Sequence, residues 1–148
     1  MTDQSLYKAV LLDHFHNPRN KGDLEEMQAV RRGSNPRCGD EIEVGISCEN
    51  GILETVRFRG RGCSICLASA SMMTECTRGL KYFQARGLIE NMQLWFAGTA
   101  DDGPPDEKLA ALESIRQHPA RKKCVLLAWQ ALDEALSEIE RRREKSST

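Results

Sequence analysis

Glu41-Ile42-Glu43-Val44-Gly45-Ile46-Ser47-Cys48-Glu49-Asn50-Gly51-Ile52-Leu53-Glu54-Thr55-Val56-Arg57-Phe58-Arg59 decides the fold. From Glu41 to Cys48 the residues alternate strictly, with Ile42, Val44, Ile46 and Cys48 on one face, the period of a half-buried strand. Asn50-Gly51 is the strongest short hairpin signal, because both residues accept the positive φ of a tight turn. Ile52 to Arg59 supplies the returning strand, and Ala29 to Arg32 adds a third at the edge. A small antiparallel sheet results.

Helical patterns flank this sheet on both sides. Leu6, Ala9, Val10 and Leu12 recur at helical spacing, and the segment stops near Asn17-Pro18, which predicts a helix from Ser5 to Phe15. Gly60 and Gly62 break the returning strand. Ser64 to Thr77 then reads as a helix of small residues and Met, and Tyr82 to Phe96 as another. Gly98 to Pro105 is a Gly/Pro/Asp-rich connector. Glu107 to Arg116 is a short helix, and Pro119 starts a long one striped by Val125, Leu126, Trp129, Leu132, Leu136 and Ile139. The expected class is α+β, with a small antiparallel sheet covered on one face by helices, including an N-terminal helix and a long C-terminal one. One domain over residues 1–148 is expected, with its core in 5–137 and a solvated, frayed tail over 138–148.

Composition narrows the function. A chain of 148 residues can bury a substantial core. Its net charge of −1 argues against a dedicated nucleic-acid binder. The longest apolar run, Cys124 to Trp129, is too short to span a bilayer, and Met1 to Leu12 lacks the layout of a signal peptide. A cytosolic setting follows, so the six cysteines are read as reduced thiols rather than a disulfide framework.

Three of those thiols and one carboxylate stand at element edges. Cys38 and Asp40 lie in Asn35-Pro36-Arg37-Cys38-Gly39-Asp40, a tight loop in which Gly39 frees the backbone to aim both side chains the same way. Cys63 sits at a strand–helix junction, where helix amides favour a thiolate. Cys124 follows Lys122-Lys123, whose charges also favour one. Such a set suits zinc or iron–sulfur chemistry, since soft sulfur disfavours magnesium and calcium. Cys48 and Cys76 read as small buried apolar residues. Cys63-Ser64-Ile65-Cys66 has thioredoxin-like spacing, but without the βαβ setting or the Trp-Cys-Gly-Pro core. His14 and His16 can cap the first helix electrostatically. His118 is read as a solvated loop residue, with a spare ligand as the alternative.

Four stretches stand in order along the chain: Asp13-His14-Phe15-His16-Asn17-Pro18-Arg19-Asn20, the Asn35–Asp40 loop, Gly60-Arg61-Gly62-Cys63 leading into Ala68-Ser69-Ala70-Ser71-Met72-Met73-Thr74, and Lys123-Cys124-Val125-Leu126-Leu127-Ala128-Trp129. By these four, in family order, the chain resembles the IscU/SufU family of iron–sulfur assembly proteins. The family's housekeeping scaffolds carry His directly before the last Cys. Lys123 stands there instead, and with the insertion over Leu94 to Gln117 this is similar to the SufU branch. Cys66 departs from the small residue, often Ser, that the family has at that position.

The resemblance implies the two-layer fold of that family and a zinc-dependent sulfurtransferase. Its zinc ligands would be Cys38, Asp40, Cys63 and Cys124, with Cys38 the acceptor of persulfide sulfur. The donor would be a SufS-type, pyridoxal-phosphate-dependent cysteine desulfurase, and Arg121 would help that partner interaction. A His of the desulfurase would displace Cys38 from the zinc. Sulfur would pass on to a SufBCD-type scaffold or to apo iron–sulfur proteins. The alternatives are an IscU-like scaffold carrying a [2Fe–2S] cluster on the same ligands, a structural zinc module, and a thiol oxidoreductase using Cys63 and Cys66.

Overall fold

The hairpin predicted from the alternation forms the centre of the molecule. In the computed structural model, which describes residues 4–98 and 103–146, three antiparallel strands lie in the order β1 (Ala29–Asn35), β2 (Asp40–Glu49) and β3 (Ile52–Arg61). Both residues of the β2–β3 turn have positive φ, 54° at Asn50 and 78° at Gly51. A bulge at Ser47/Cys48 shifts the pairing by one residue. It re-phases β3, so that Leu53 and then Val56 and Phe58 point into the core with Ile42, Val44 and Ile46. The bulge also leaves Cys48 half-buried, and burial pushes its thiol upward. β3 runs through Gly60 to Arg61, two residues beyond the predicted end.

Four α-helices and a 3-10 segment surround this sheet. They are α1 (Gln4–His16), α2 (Ser64–Thr77), α3 (Tyr82–Ala97), the 3-10 segment Glu107–Gln117, and α4 (Pro119–Ser146). α4 lies across β1 and β2, α2 packs on β3 and α4, and α1 packs on α2. The core they enclose includes Met72 and Met73 of α2, Ile89 and Met92 of α3, and Val125, Trp129, Leu132 and Leu136 of α4. The far side of the sheet is not bare. A Cβ at Gly45 would come within 2.8 Å of Met27 Cγ and 3.0 Å of Leu24 Cδ2, so the 21–28 segment covers its middle. The free edge of β3 is shielded as well: Phe58 N–H donates to Asn20 O, and Leu53 N–H to Leu80 O.

The short helix expected over Glu107 to Arg116 is present, as a 3-10 helix over Glu107–Gln117. It is held by Asp106, which caps Lys108 N–H at 2.9 Å, and by buried Arg116, whose Nε donates to Trp95 O and whose guanidinium stacks 5.0 Å from the Trp95 ring centroid. The tail expected to fray from residue 138 is helical through Ser146. Ile139 is buried, Glu138 pairs with Arg31 at 2.9 Å, Glu140 accepts from Tyr82 Oη at 2.8 Å, and Arg142 reaches Gln28 O. Residues 147–148, and part of the predicted Gly98 to Pro105 connector, lie outside the described residues. Among the described residues no helix is long and apolar enough to cross a membrane.

Candidate metal centre

The β1–β2 turn places the first two candidate ligands. Cys38 N–H donates to Asn35 O and Gly39 N–H to Pro36 O, and Gly39 adopts φ 69°. A side chain at Gly39 would strain this turn. Cys38 is exposed at the tip, while Asp40, the first residue of β2, is 1% exposed. The strand end at Arg61 brings the chain back beside Asp40. Gly62 makes the approach possible, because a Cβ there would lie 2.7 Å from Asp40 Oδ1. Cys63 N–H then donates to that oxygen at 2.9 Å. The sequence shows Gly62 merely as a strand breaker; its contact with the carboxylate is visible once β2 and β3 pair.

Cys63 is the N-cap of α2, and its sulfur accepts the Cys66 N–H at 3.4 Å. Its Sγ lies 4.0 Å from Asp40 Oδ2. Cys124 faces inward from the second turn of α4 and is 2% exposed. Ligand atoms of Cys38, Asp40 and Cys124 lie within 4.8 Å of one another. Thus the structure brings Cys38, Asp40 and Cys124 into one group, with Cys63 at its edge against the carboxylate.

The electrostatics differ from the expectation at Cys124. Burial pushes this thiol far up, helped by its hydrogen bond to Asp40 and by the neighbouring Cys63 and Cys38. Lys122 and Lys123 do not offset this, since Lys123 is exposed and Lys122 half-exposed on other faces of the helix. Cys66 is fully buried and is likewise pushed up, first by burial and then by Asp40, Cys63 and Cys38. Such a thiol is a poor nucleophile, which weighs against disulfide exchange. Cys76 is buried, as expected, with its thiol pushed up to about 12 by burial. His118 is not in the group; it lines an open groove of about 550 Å³ between α1 and the 3-10 segment, with Ser5 and Lys8. His14 does not cap α1 but turns onto α2, with Nδ1 2.8 Å from Ser71 Oγ. His16 is exposed in the last turn of α1.

Asp40 is a buried carboxylate that forms no ion pair among the described residues. A buried charge without a counter-charge is costly, and three sulfurs surround it. Two ligands on one tetrahedral zinc stand about 3.8 Å apart if both are sulfur, slightly less with oxygen. The donor set and its spacing therefore fit a soft or borderline dication.

Residues 6–95 match the model of the NifU-like N terminal domain. The chain belongs to this family, in its IscU/SufU group. It is 37% identical over 137 residues to the zinc-dependent sulfurtransferase SufU of Bacillus subtilis, covering 92% of each chain. It is 33% identical to the iron-sulfur cluster assembly scaffold protein IscU of Thermotoga maritima, covering 95% of this chain and 99% of that one. Among solved structures, it is similar to a putative iron-sulfur cluster assembly scaffold protein for the SUF system from Fervidobacterium islandicum. The TM-score there is 0.81, with 27% identity over 91% of this chain and 99% of that one. The α+β fold is that of the family.

Proposed function

We propose that this family member works in iron–sulfur cluster assembly as a zinc-dependent sulfurtransferase. Cys38, Asp40, Cys63 and Cys124 would hold the zinc, and Cys38 would accept sulfur. When bound, zinc would keep the sulfurs as thiolates without redox chemistry of its own. The observation that carries the reading is an asymmetry of exposure: of the four, Cys38 is exposed, while Asp40 and Cys124 are buried and Cys63 is half-buried.

The chemistry at Cys38 is a balanced exchange. Its thiolate attacks the terminal sulfur of a cysteine persulfide on a SufS-type, pyridoxal-phosphate-dependent desulfurase. The partner's S–S bond breaks, the partner thiolate leaves, and the new persulfide is on Cys38. No external electron donor is required. The Pro36–Gly39 turn suits this role because Cys38 can move while Asn35 and Asp40 stay paired across β1 and β2. Arg121, exposed on the first turn of α4, is available to an acidic group of the partner. The product persulfide would be consumed by a SufBCD-type scaffold or by apo iron–sulfur proteins.

A second reading, an IscU-type scaffold holding a [2Fe–2S] cluster on the same residues, is favoured by the similarity to proteins of that name. Lys123, where such scaffolds carry His, supports the first. The test is alanine release from cysteine by the cognate desulfurase, with and without the zinc-loaded protein. Strong stimulation that disappears in Cys38→Ser is expected. Undiminished persulfide loading of Cys38→Ser, or no stimulation together with a coloured iron-bound species, overturns the sulfurtransferase.

A further inference from the structure

Two of the candidate ligands are carried on separate helices, Cys63 at the start of α2 and Cys124 in α4, so the site depends on how those helices are registered. Apolar packing is non-directional and fixes such a register weakly. A hydrogen bond with defined geometry fixes it sharply. One buried side chain supplies two of them. Ser69 Oγ donates to Val125 O at 2.7 Å and accepts from Trp129 Nε1 at 3.2 Å. Ser69 and Trp129 are both fully buried.

The placement of this contact matters. Val125 directly follows Cys124, and Trp129 lies one turn further along α4. Ser69 stands about 9 Å along the helix axis from Cys63. A slip of α4 against α2 at this point would displace the Cys124 sulfur by a similar amount relative to Cys63. Loss of the serine hydroxyl would also leave the indole N–H without a partner in a dry interior, which favours such a slip.

We propose that Ser69 and Trp129 form an interhelical latch that sets the spacing of the Cys63 and Cys124 sulfurs and thereby the metal affinity of the site. Ser69 is a positioning residue in this scheme. The inference rests on the zinc-site reading but adds a residue outside the ligand set.

The test is titration of the metal-free full chain with Co²⁺, reading both affinity and the thiolate-to-cobalt charge-transfer absorbance per bound ion. Ser69→Ala should weaken binding about 10- to 100-fold, the range for residues that orient metal ligands, and lower that absorbance. Ser69→Thr, which keeps the hydroxyl, should restore both. Trp129→Phe, which removes the indole N–H, should move both in the same direction as Ser69→Ala, and it serves alone if Ser69→Ala does not fold. The control is Thr77→Val: Thr77 is a buried hydroxyl of α2 that bonds its own helix at Met73 O, and its loss should change neither readout. Wild-type affinity and spectrum in Ser69→Ala or Trp129→Phe overturn the latch, as does an equal loss in Thr77→Val. A wild type that binds Co²⁺ without thiolate absorbance overturns the zinc-site reading, and the latch with it.

Discussion

Helix α2 serves two polar clusters that are built on opposite principles. At its N-terminus, Cys63 joins Asp40, Cys38 and Cys124, a group rich in acceptors and potential anions. The donors it receives from the fold include the Cys63 and Cys66 backbone N–H groups. Two turns later, Ser71 and Thr74 face α1 and the loop after it. There Ser71 Oγ meets His14 Nδ1 and accepts Arg19 N–H at 2.8 Å, while Asn20 Nδ2 donates to Thr74 Oγ1 at 3.1 Å. The second cluster balances donors against acceptors within the chain and asks for nothing from outside. The first cluster gathers sulfurs around a carboxylate that has no ion pair among the described residues, a donor set that suits a soft or borderline dication.

Adding and removing zinc is the strongest way to break this contrast. With free zinc far above its dissociation constant, Tm should rise by roughly 10 °C over the metal-free protein; calorimetry showing no shift would place the thiol cluster beside the His14 cluster as mere packing. Asp40→Asn should next split the two states of the site. It should weaken zinc binding by at least about tenfold, yet stabilise the metal-free chain by on the order of 1 kcal/mol, because it deletes a buried unpaired charge. Urea unfolding of both forms reads this, and destabilisation of both would refute the charge argument.

His14 should behave in the opposite manner, with zinc having no bearing on it. His14→Ala should cost about 1–3 kcal/mol, alike in the loaded and metal-free forms. Burial, then the Arg19 charge, lowers the pKa of His14 from its ordinary 6.5, against the opposing pull of Glu75 and Asp13. Its folded value is below its unfolded one, so its contribution is complete above about pH 6.5 and declines as the pH falls and the unfolded chain takes up the proton first. The urea midpoint should drop between about pH 7.5 and about pH 5.5, with a smaller drop in His14→Ala; equal drops would remove His14 from the account. The smallest structural effect belongs to Arg121→Ala, which should change stability by less than about 0.5 kcal/mol while reducing desulfurase stimulation. Full stimulation would exclude it from the partner surface.

Local pattern was enough for most elements, and α2 begins and ends where its composition places it. Asn50-Gly51 determined a turn because the constraint is intrinsic to those two residues. What the pattern missed depends on contacts distant in sequence. Leu24 and Met27 lie in a segment with no periodicity, and they gain meaning only against Gly45. The charged end of α4 looks solvated until Arg31, Tyr82 and Gln28 are found beside it. Cys124 lies beside Cys38 and Asp40, yet the lysines adjacent to it misled on its charge state: neighbours along a helix point to different faces, and the depth of burial outweighed them. Ser69 resembled any small helix residue, since its partners are some sixty positions away.

The exposed turn at Cys38 has a cost in durability. Reactive oxygen and electrophiles reach an exposed sulfur before a buried one, so chemical wear falls first on the residue that is least needed for the fold. A metal-free preparation that has aged in this way keeps its melting curve and its shape while losing the sulfur-acceptor capacity proposed for Cys38. Counting accessible thiols, rather than measuring folded fraction, is the proper gauge of an active sample.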